Sequence, residues 1–265
     1  MYLKLYGLKQ SPFNITADPY FFFESLSHKE ALAALFYGIQ EKKGIILITG
    51  EVGTGKTTLC RTLLAKLSPE IKTSLILNPY FSEVQLLMAI VEDFGLTPAK
   101  KSRLDIIKSL NSFLVDISLK GGNAVLIIDE AQNLTSRQLE QIRLLSNLET
   151  SCEKLLQIVL LGQPELIEKL KHPNLRQIRQ RIFVKHDLTP LKVEELKHYI
   201  EHRLRKAGVE NINILPESYE LIYNFSKGIP RLVNVLCDRA LLLGFVKESK
   251  VFDQTIFKAC IEELE

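Results

Sequence analysis

Hydrophobic positions along this chain follow two alternating patterns: short runs without polar interruption, and longer stretches in which apolar residues recur every three or four positions. The runs Ile45 to Thr49, Thr73 to Leu77, Ala124 to Asp129, Leu156 to Gly162 and Ile182 to Leu188 predict five strands. The first, third and fourth show no polar alternation, which suits strands buried on both faces of a parallel sheet covered by helices. Between the runs the helices mark their own ends. Ser82 followed by Gln85, and Thr135 followed by Gln138, have the spacing of capping boxes, and Gly95 stands where the first of these helices should stop. Beyond Leu188 the strand pattern ends, and Thr189-Pro190 opens a region that reads as helices only, at roughly Lys192 to Ala207, Pro216 to Lys227, Pro230 to Val246 and Asp253 to Leu264. The expected organisation is therefore an α/β domain over 1–190 and a small all-helical domain over 191–265.

The connection after the first strand carries the most specific chemistry. Gly50-Glu51-Val52-Gly53-Thr54-Gly55-Lys56-Thr57 has the pattern G-x-x-x-x-G-K-[ST] and lies between a strand and a helix, as a phosphate loop must. Its glycines let the backbone close around a phosphate, its N–H groups point inward, and the helix N-terminus adds partial positive charge. Lys56 is expected on the β- and γ-phosphates of a nucleoside triphosphate, and the Thr57 hydroxyl on Mg2+. The second motif follows 73 residues after Lys56, where an apolar run ends in Asp129-Glu130. Asp129 is placed to hold the Mg2+ shell and Glu130 to polarise a water. The pair points to hydrolysis of ATP by water rather than transfer to a small acceptor.

Composition narrows the setting. With 265 residues, 46% hydrophobic and 25% charged, the chain has the make-up of a globular protein. Its 34 basic and 31 acidic residues leave +3, too slight a bias to imply a nucleic acid or an anionic membrane by itself. Cys60, Cys152, Cys237 and Cys260 are far apart and form no C-x-x-C pair, so all four are read as reduced core residues. The start, Met1 to Gly7, has no apolar leader segment, and no apolar run approaches the ~18 residues of a membrane span. A reducing cytoplasm is the expected compartment.

At these residues the chain resembles the AAA+ ATPases, and among them the general secretion pathway protein A family of ExeA-like and MshM-type pilus-biogenesis proteins. The likeness covers nearly the whole chain. It runs through Tyr6-Gly7-Leu8, Pro12-Phe13, His28 to Leu32, the phosphate loop with Thr58, Arg143 to Thr150, Leu161 to Leu166, Gln180-Arg181-Ile182 and Gly228-Ile229-Pro230-Arg231. The phosphate loop is common to many families, whereas the Arg143 and Gln163 segments are much more specific. The resemblance implies a P-loop NTPase (AAA+) fold, a parallel five-stranded sheet flanked by helices and followed by a helical lid, with ATP and Mg2+ bound. It further implies Gln163 as the sensor that orients the lytic water and Arg231 as the lid arginine that reaches the γ-phosphate. Arg181 resembles the arginine finger offered to a neighbouring subunit, with Arg176 and Arg179 as rivals, and Asn78 resembles a residue that holds the catalytic glutamate inactive. The longer secretion members continue into a membrane span and a peptidoglycan-binding region. This sequence stops at Glu265, so the shorter MshM-like form is expected, cytoplasmic or peripheral at the inner membrane.

Two function classes follow from the resemblance. One is a homo-oligomeric motor or assembly factor, with active sites at subunit interfaces, that works on a protein of a secretion or pilus system. The other is a DNA-linked regulator similar to the transposition ATPases TniB and MuB. The slight net charge and the ExeA-like segments favour the first, and Lys100, Lys101 and Arg103 form the only compact basic cluster outside the catalytic region. The match of His198-Tyr199-Ile200-Glu201-His202 to the zinc-peptidase pattern H-x-x-E-H is set aside, because Arg203 and Arg205 beside it would repel a cation. The aromatics Phe13, Tyr20, Phe21, Phe22 and Phe23 either seal an N-terminal strap against the core or pack on an adenine, and core packing is the expectation.

Overall fold

The computed structural model describes residues 2–209 and 212–264; Met1 and Glu265, the outer bounds of the two expected domains, lie outside the described residues. Five strands, β1 (Ile45–Gly50), β2 (Ile71–Ile76), β3 (Asn123–Ile128), β4 (Gln157–Gly162) and β5 (Ile182–Leu188), form one sheet in the order β2-β3-β4-β1-β5. Every neighbouring pair in it is parallel. A second, two-residue parallel pairing joins β6 (Asn213–Ile214) to β7 (Val251–Phe252). The helices up to β5 are α1 (Tyr2–Tyr6), α2 (Leu26–Gln40), α3 (Lys56–Lys66), α4 (Glu83–Asp93), α5 (Arg103–Leu119), α6 (Ser136–Leu145), α7 (Pro164–Leu170) and α8 (Arg176–Arg179). After it come α9 (Val193–Lys206), α10 (Pro216–Ser226), α11 (Pro230–Val246) and α12 (Gln254–Leu264).

The strand order explains the hydrophobic pattern. Central β1, β3 and β4 are buried along nearly their whole length, because neighbours flank them on both sides and helices cover both faces. Edge strands β2 and β5 are less covered, with Lys72 open in β2 and Phe183, Lys185 and Asp187 alternating with half-buried positions in β5. The helix boundaries follow from side chains. The Ser82 and Thr135 hydroxyls cap α4 and α6, and Gln85 and Gln138 return the bond to the cap N–H groups at 2.9 and 2.8 Å. Gly95 ends α4 at φ +81°, a conformation that an L side chain rarely adopts.

The Cα positions divide into two compact units. One takes in Lys29–Glu51 and Thr62–Leu188, and contains the five-stranded sheet; the other takes in Met1–His28, Val52–Arg61 and Thr189–Glu265. In the first unit Ile45, Leu47, Leu126, Ile128, Ile158 and Leu160 pack with residues of α4, α5 and α6 into one core. In the second, α9 to α12 pack around Leu196, Ile200, Leu236, Phe252 and Phe257. Phe13 and Phe21 of the N-terminal strap are buried in that same cluster, so they pack as core residues, whereas Tyr20 is exposed. The strap is fastened by Arg203, whose buried guanidinium donates to the Pro12 and Asn14 carbonyls and lies over the Phe21 ring. One expectation on the cysteines does not hold: Cys60, Cys237 and Cys260 are buried, but Cys152 is exposed. It sits in the turn before β4, among bonds of Thr150 to its neighbours. None of the described helices is long and apolar enough to cross a membrane.

Candidate active site

Three chain segments relevant to catalysis leave the same edge of the sheet. Because all five strands are parallel, the carboxyl ends of β1, β3 and β4 lie side by side, and from them emerge Gly50, Asp129 and Gln163. An open parallel sheet binds its ligands along this edge. β4 stands between the strand that leads into the phosphate loop and the strand that carries the acids, so Gln163 issues from between the two. The start of the loop is fixed by Thr49, whose hydroxyl donates to Asp187 of β5 at 2.7 Å.

The acidic end of β3 is held by its own hydrogen bonds. Asp129 is buried, and its N–H donates to the Ile76 carbonyl of β2 at 2.8 Å, which extends the sheet pairing by one residue. Its Oδ1 accepts from the Glu130 N–H at 2.9 Å. Glu130 adopts φ +52°, left-handed backbone for a residue with a Cβ, at a cost of about 1–2 kcal/mol. The carboxylate of Glu130 accepts from two amides. Gln163 Nε2 donates to Oε2 at 3.2 Å, and Gln132 Nε2 donates to the same oxygen at shorter range. The Gln132 Oε1 in turn accepts from the Gln163 backbone N–H at 3.0 Å, so the three residues form a closed arrangement. Lys169 anchors this turn from α7 by donating to the Gln132 and Leu134 carbonyls.

Sequence reasoning singled out Glu130 and Gln163, and the structure brings them together. It missed Gln132, two residues past the acidic pair, for which amide chemistry in a turn was the only available signal. Asn78 lies two residues past the end of β2, and among the described residues the hydrogen-bond partners of the Glu130 carboxylate are Gln132 and Gln163, not Asn78.

The phosphate loop has the backbone that its glycines predict. Gly53 and Gly55 sit at φ +83° and +100°, Lys56 is buried as the first residue of α3, and Thr54 is buried while Thr57 and Thr58 are half-buried. Glu51 and Val52 are exposed at the loop's outer rim. A Cβ on Gly53 would come within 2.7 Å of the Arg231 Cβ and 3.0 Å of Ile229. The Arg231 N–H donates to the Gly53 carbonyl at 3.2 Å, which places the first turn of α11, where Arg231 is exposed, directly on the loop. These features fit a bound nucleotide: turned backbone with no side chain in the way, a buried cation and a helix N-terminus. Hydroxyl and carboxylate oxygens at Thr57 and Asp129 are the hard donors that Mg2+ takes.

The remaining expected residues are more dispersed. Arg181, half-buried, immediately precedes β5, while Arg176 and Arg179 are exposed on α8. Arg181 is near enough to Glu149 to add to the lowering of that carboxyl below its usual range, an effect owed first to the Lys154 hydrogen bond. In the H-x-x-E-H segment, His198 is exposed beside Glu201 at 3.8 Å, while His202 is set edge-on against Phe23. Burial first, and then Lys206, Arg205 and Arg203, hold His202 below the usual imidazole range. Among the described residues no group of three or more His, Cys, Asp or Glu is placed to hold a metal ion.

A parallel sheet of this order, with a phosphate loop after β1 and an Asp-Glu pair after β3, defines a P-loop ATPase of the AAA+ class. Comparison with known proteins gives the family. Residues 39–170 match the AAA_22 model, described as an AAA domain. The chain is 44% identical over 250 residues to general secretion pathway protein A of Aeromonas hydrophila, a match that covers 94% of this chain and 46% of that protein. The chain belongs to the AAA+ ATPases of the general secretion pathway protein A family, and it spans about half the length of this relative. Solved structures show the same fold at low identity. The Aeropyrum pernix ORC2 protein, in its ADPNP-ADP complexes, aligns with TM-score 0.67 at 18% identity over 90% of this chain and 67% of that one. A Thermotoga maritima RuvB variant aligns with TM-score 0.62 at 21% identity, over 92% and 70%.

Proposed function

We propose that the chain binds ATP with Mg2+ on the loop Gly50 to Thr58 and hydrolyses it, and that turnover drives assembly or remodelling of a protein in a secretion or pilus system. The observation that carries the hydrolytic reading is the Gln163 amide on the Glu130 carboxylate, 3.2 Å away, at the sheet edge from which the phosphate loop departs. Backbone N–H groups of the loop and the Lys56 ammonium take the phosphate oxygens. Glu130 accepts a proton from the attacking water, and Gln163, bonded to that carboxylate, aligns the water beside it. Thr57 and Asp129 would hold Mg2+, which would supply positive charge against the phosphate groups. Arg231, which shares backbone contact with the loop, supplies charge from the lid, and Arg181 supplies it to a neighbouring copy. The secretion role rests on the Aeromonas relative and favours a protein client, reached from the cytoplasm at the inner-membrane surface.

Two variants test the chemistry. Lys56→Ala should lose tight ATP binding in a titration, whereas Glu130→Gln should bind normally and turn over at least about 100-fold more slowly. Wild-type affinity in the first, or near wild-type turnover in the second, would remove the assignment. Assay of the wild type with and without duplex DNA across a salt series tests the client class: stimulation that falls steeply with salt would replace the protein client by DNA.

A further inference from the structure

The phosphate loop is gripped from behind at two successive carbonyls, and one of the two grips is a buried histidine that the hydrolytic scheme does not use. His28, 4% exposed, stands in the first turn of α2. Its Nε2 is 3.1 Å from the Thr54 carbonyl oxygen, and its Nδ1 is 2.6 Å from the Oγ of Ser25, which is 2% exposed. Ser25 also accepts the His28 N–H at 3.3 Å, so it caps α2 with the same oxygen. That hydroxyl has one proton to give, and giving it to Nδ1 leaves the ring proton on Nε2, directed at Thr54. The Phe22 ring closes the other side edge-on, with centroids 5.3 Å apart. The second grip is the Arg231 N–H on the Gly53 carbonyl.

In a trans peptide the C=O of one residue and the N–H of the next point in opposite directions. A donor that holds the Gly53 carbonyl therefore aims the Thr54 N–H, and a donor that holds the Thr54 carbonyl aims the Gly55 N–H. Both amides belong to the phosphate cradle. The ring also packs directly against Gly55, where a Cβ would meet His28 Nε2 at 3.1 Å. We propose that His28, oriented by Ser25, is a positioning residue that fixes the Gly55 N–H for phosphate, and that through it the N-terminal strap sets nucleotide affinity. The strap is suited to this, because Arg61 of α3 also donates to its Ala17 carbonyl at 2.7 Å and Glu195 of α9 accepts the Leu26 N–H at 2.9 Å.

This rests on the phosphate-loop reading, and the test separates the two. A Gln side chain can place an amide N–H near the position of the ring Nε2, whereas Asn reaches only to the Nδ1 position. ATP titration of the full chain should show Kd raised about 5- to 10-fold in His28→Ala and His28→Asn, the effect of one lost hydrogen bond, and within about 3-fold of wild type in His28→Gln. KM should follow Kd and move more than kcat. Ser25→Ala, which keeps the imidazole but frees its tautomer, should fall between. Equal Kd for Ala, Asn and Gln variants, with the wild type binding ATP, would overturn the role of His28 alone. The same holds if Kd stays at the wild-type value while only the nucleotide-free melting temperature falls. A wild type that binds no ATP would remove the phosphate-loop reading and this inference with it.

Discussion

Glu130 is held by more than its place at the end of a strand. Its left-handed backbone and its bond to Asp129 Oδ1 set the direction of the side chain, and two amides then fix the carboxylate. Gln132 is the pivot of this group, since one end of its amide holds Glu130 and the other holds the Gln163 backbone. On the proposed scheme, Gln132→Ala should lower kcat about 10-fold and leave KM within about 2-fold, because the proposed base would lose its orientation while the loop is untouched. Steady-state kinetics decide it: a rise in KM at constant kcat would mean that Gln132 serves nucleotide binding instead. Asp129, Glu130, Lys56 and Thr57 can be singled out from the sequence as candidates, because their spacing from apolar runs and glycines is the signal itself. Gln132 and His28 were not legible as site residues. An amide in a turn and a histidine in a helix have no periodic signature, and their roles arise only when separate segments fold against each other.

Whole elements were read well where packing imposes a continuous pattern. All five strands of the sheet appear within two residues of their expected limits, since burial on one or both faces leaves long apolar runs. The pairing of β6 with β7 escaped notice, because two-residue strands generate no periodicity. Gly228 shows a second kind of blindness. It was read as part of the segment that ends in Arg231, yet its structural task is distinct: it sits at φ +75° with the Leu191 carbonyl where its Cβ would be, at 2.1 Å. The Gly228 carbonyl also accepts the Leu191 N–H at 2.9 Å, which ties the chain entering α9 to the turn before α11. Gly228→Ala should destabilise the fold by about 3 kcal/mol, since backbone cannot yield as a side chain can and the φ is unfavourable for Ala. Urea denaturation without nucleotide measures this, and an unchanged midpoint would show that the α9 connection moves freely.

For the molecule as a whole, the open question is whether one chain completes its own active site. Lys56, Thr57, Asp129, Glu130 and Gln163 belong to the elements on and after β1, β3 and β4, but Arg181 issues from the amino end of β5. All strands are parallel, so Arg181 stands at the edge of the sheet opposite to the one that bears the acids. A cation there is at the far end of the strands from Gly50 and the acids, which is the reason for proposing that it serves a neighbouring copy. If it acts in this way, specific activity should rise with protein concentration, because the finger stabilises charge on the γ-phosphoryl group only across an interface, an effect of roughly 10³ to 10⁵ in related GTPase systems. Arg181→Ala should then bind ATP and turn over poorly, like Glu130→Gln. Mixing the two inactive proteins should restore part of the activity, since an Arg181→Ala subunit keeps its own Glu130 and can receive the intact Arg181 of a Glu130→Gln neighbour. Mixtures that co-assemble yet remain inactive in every ratio would assign Arg181 to support of its own subunit, and the same complementation with Arg176→Ala and Arg179→Ala would then identify the residue that crosses the interface.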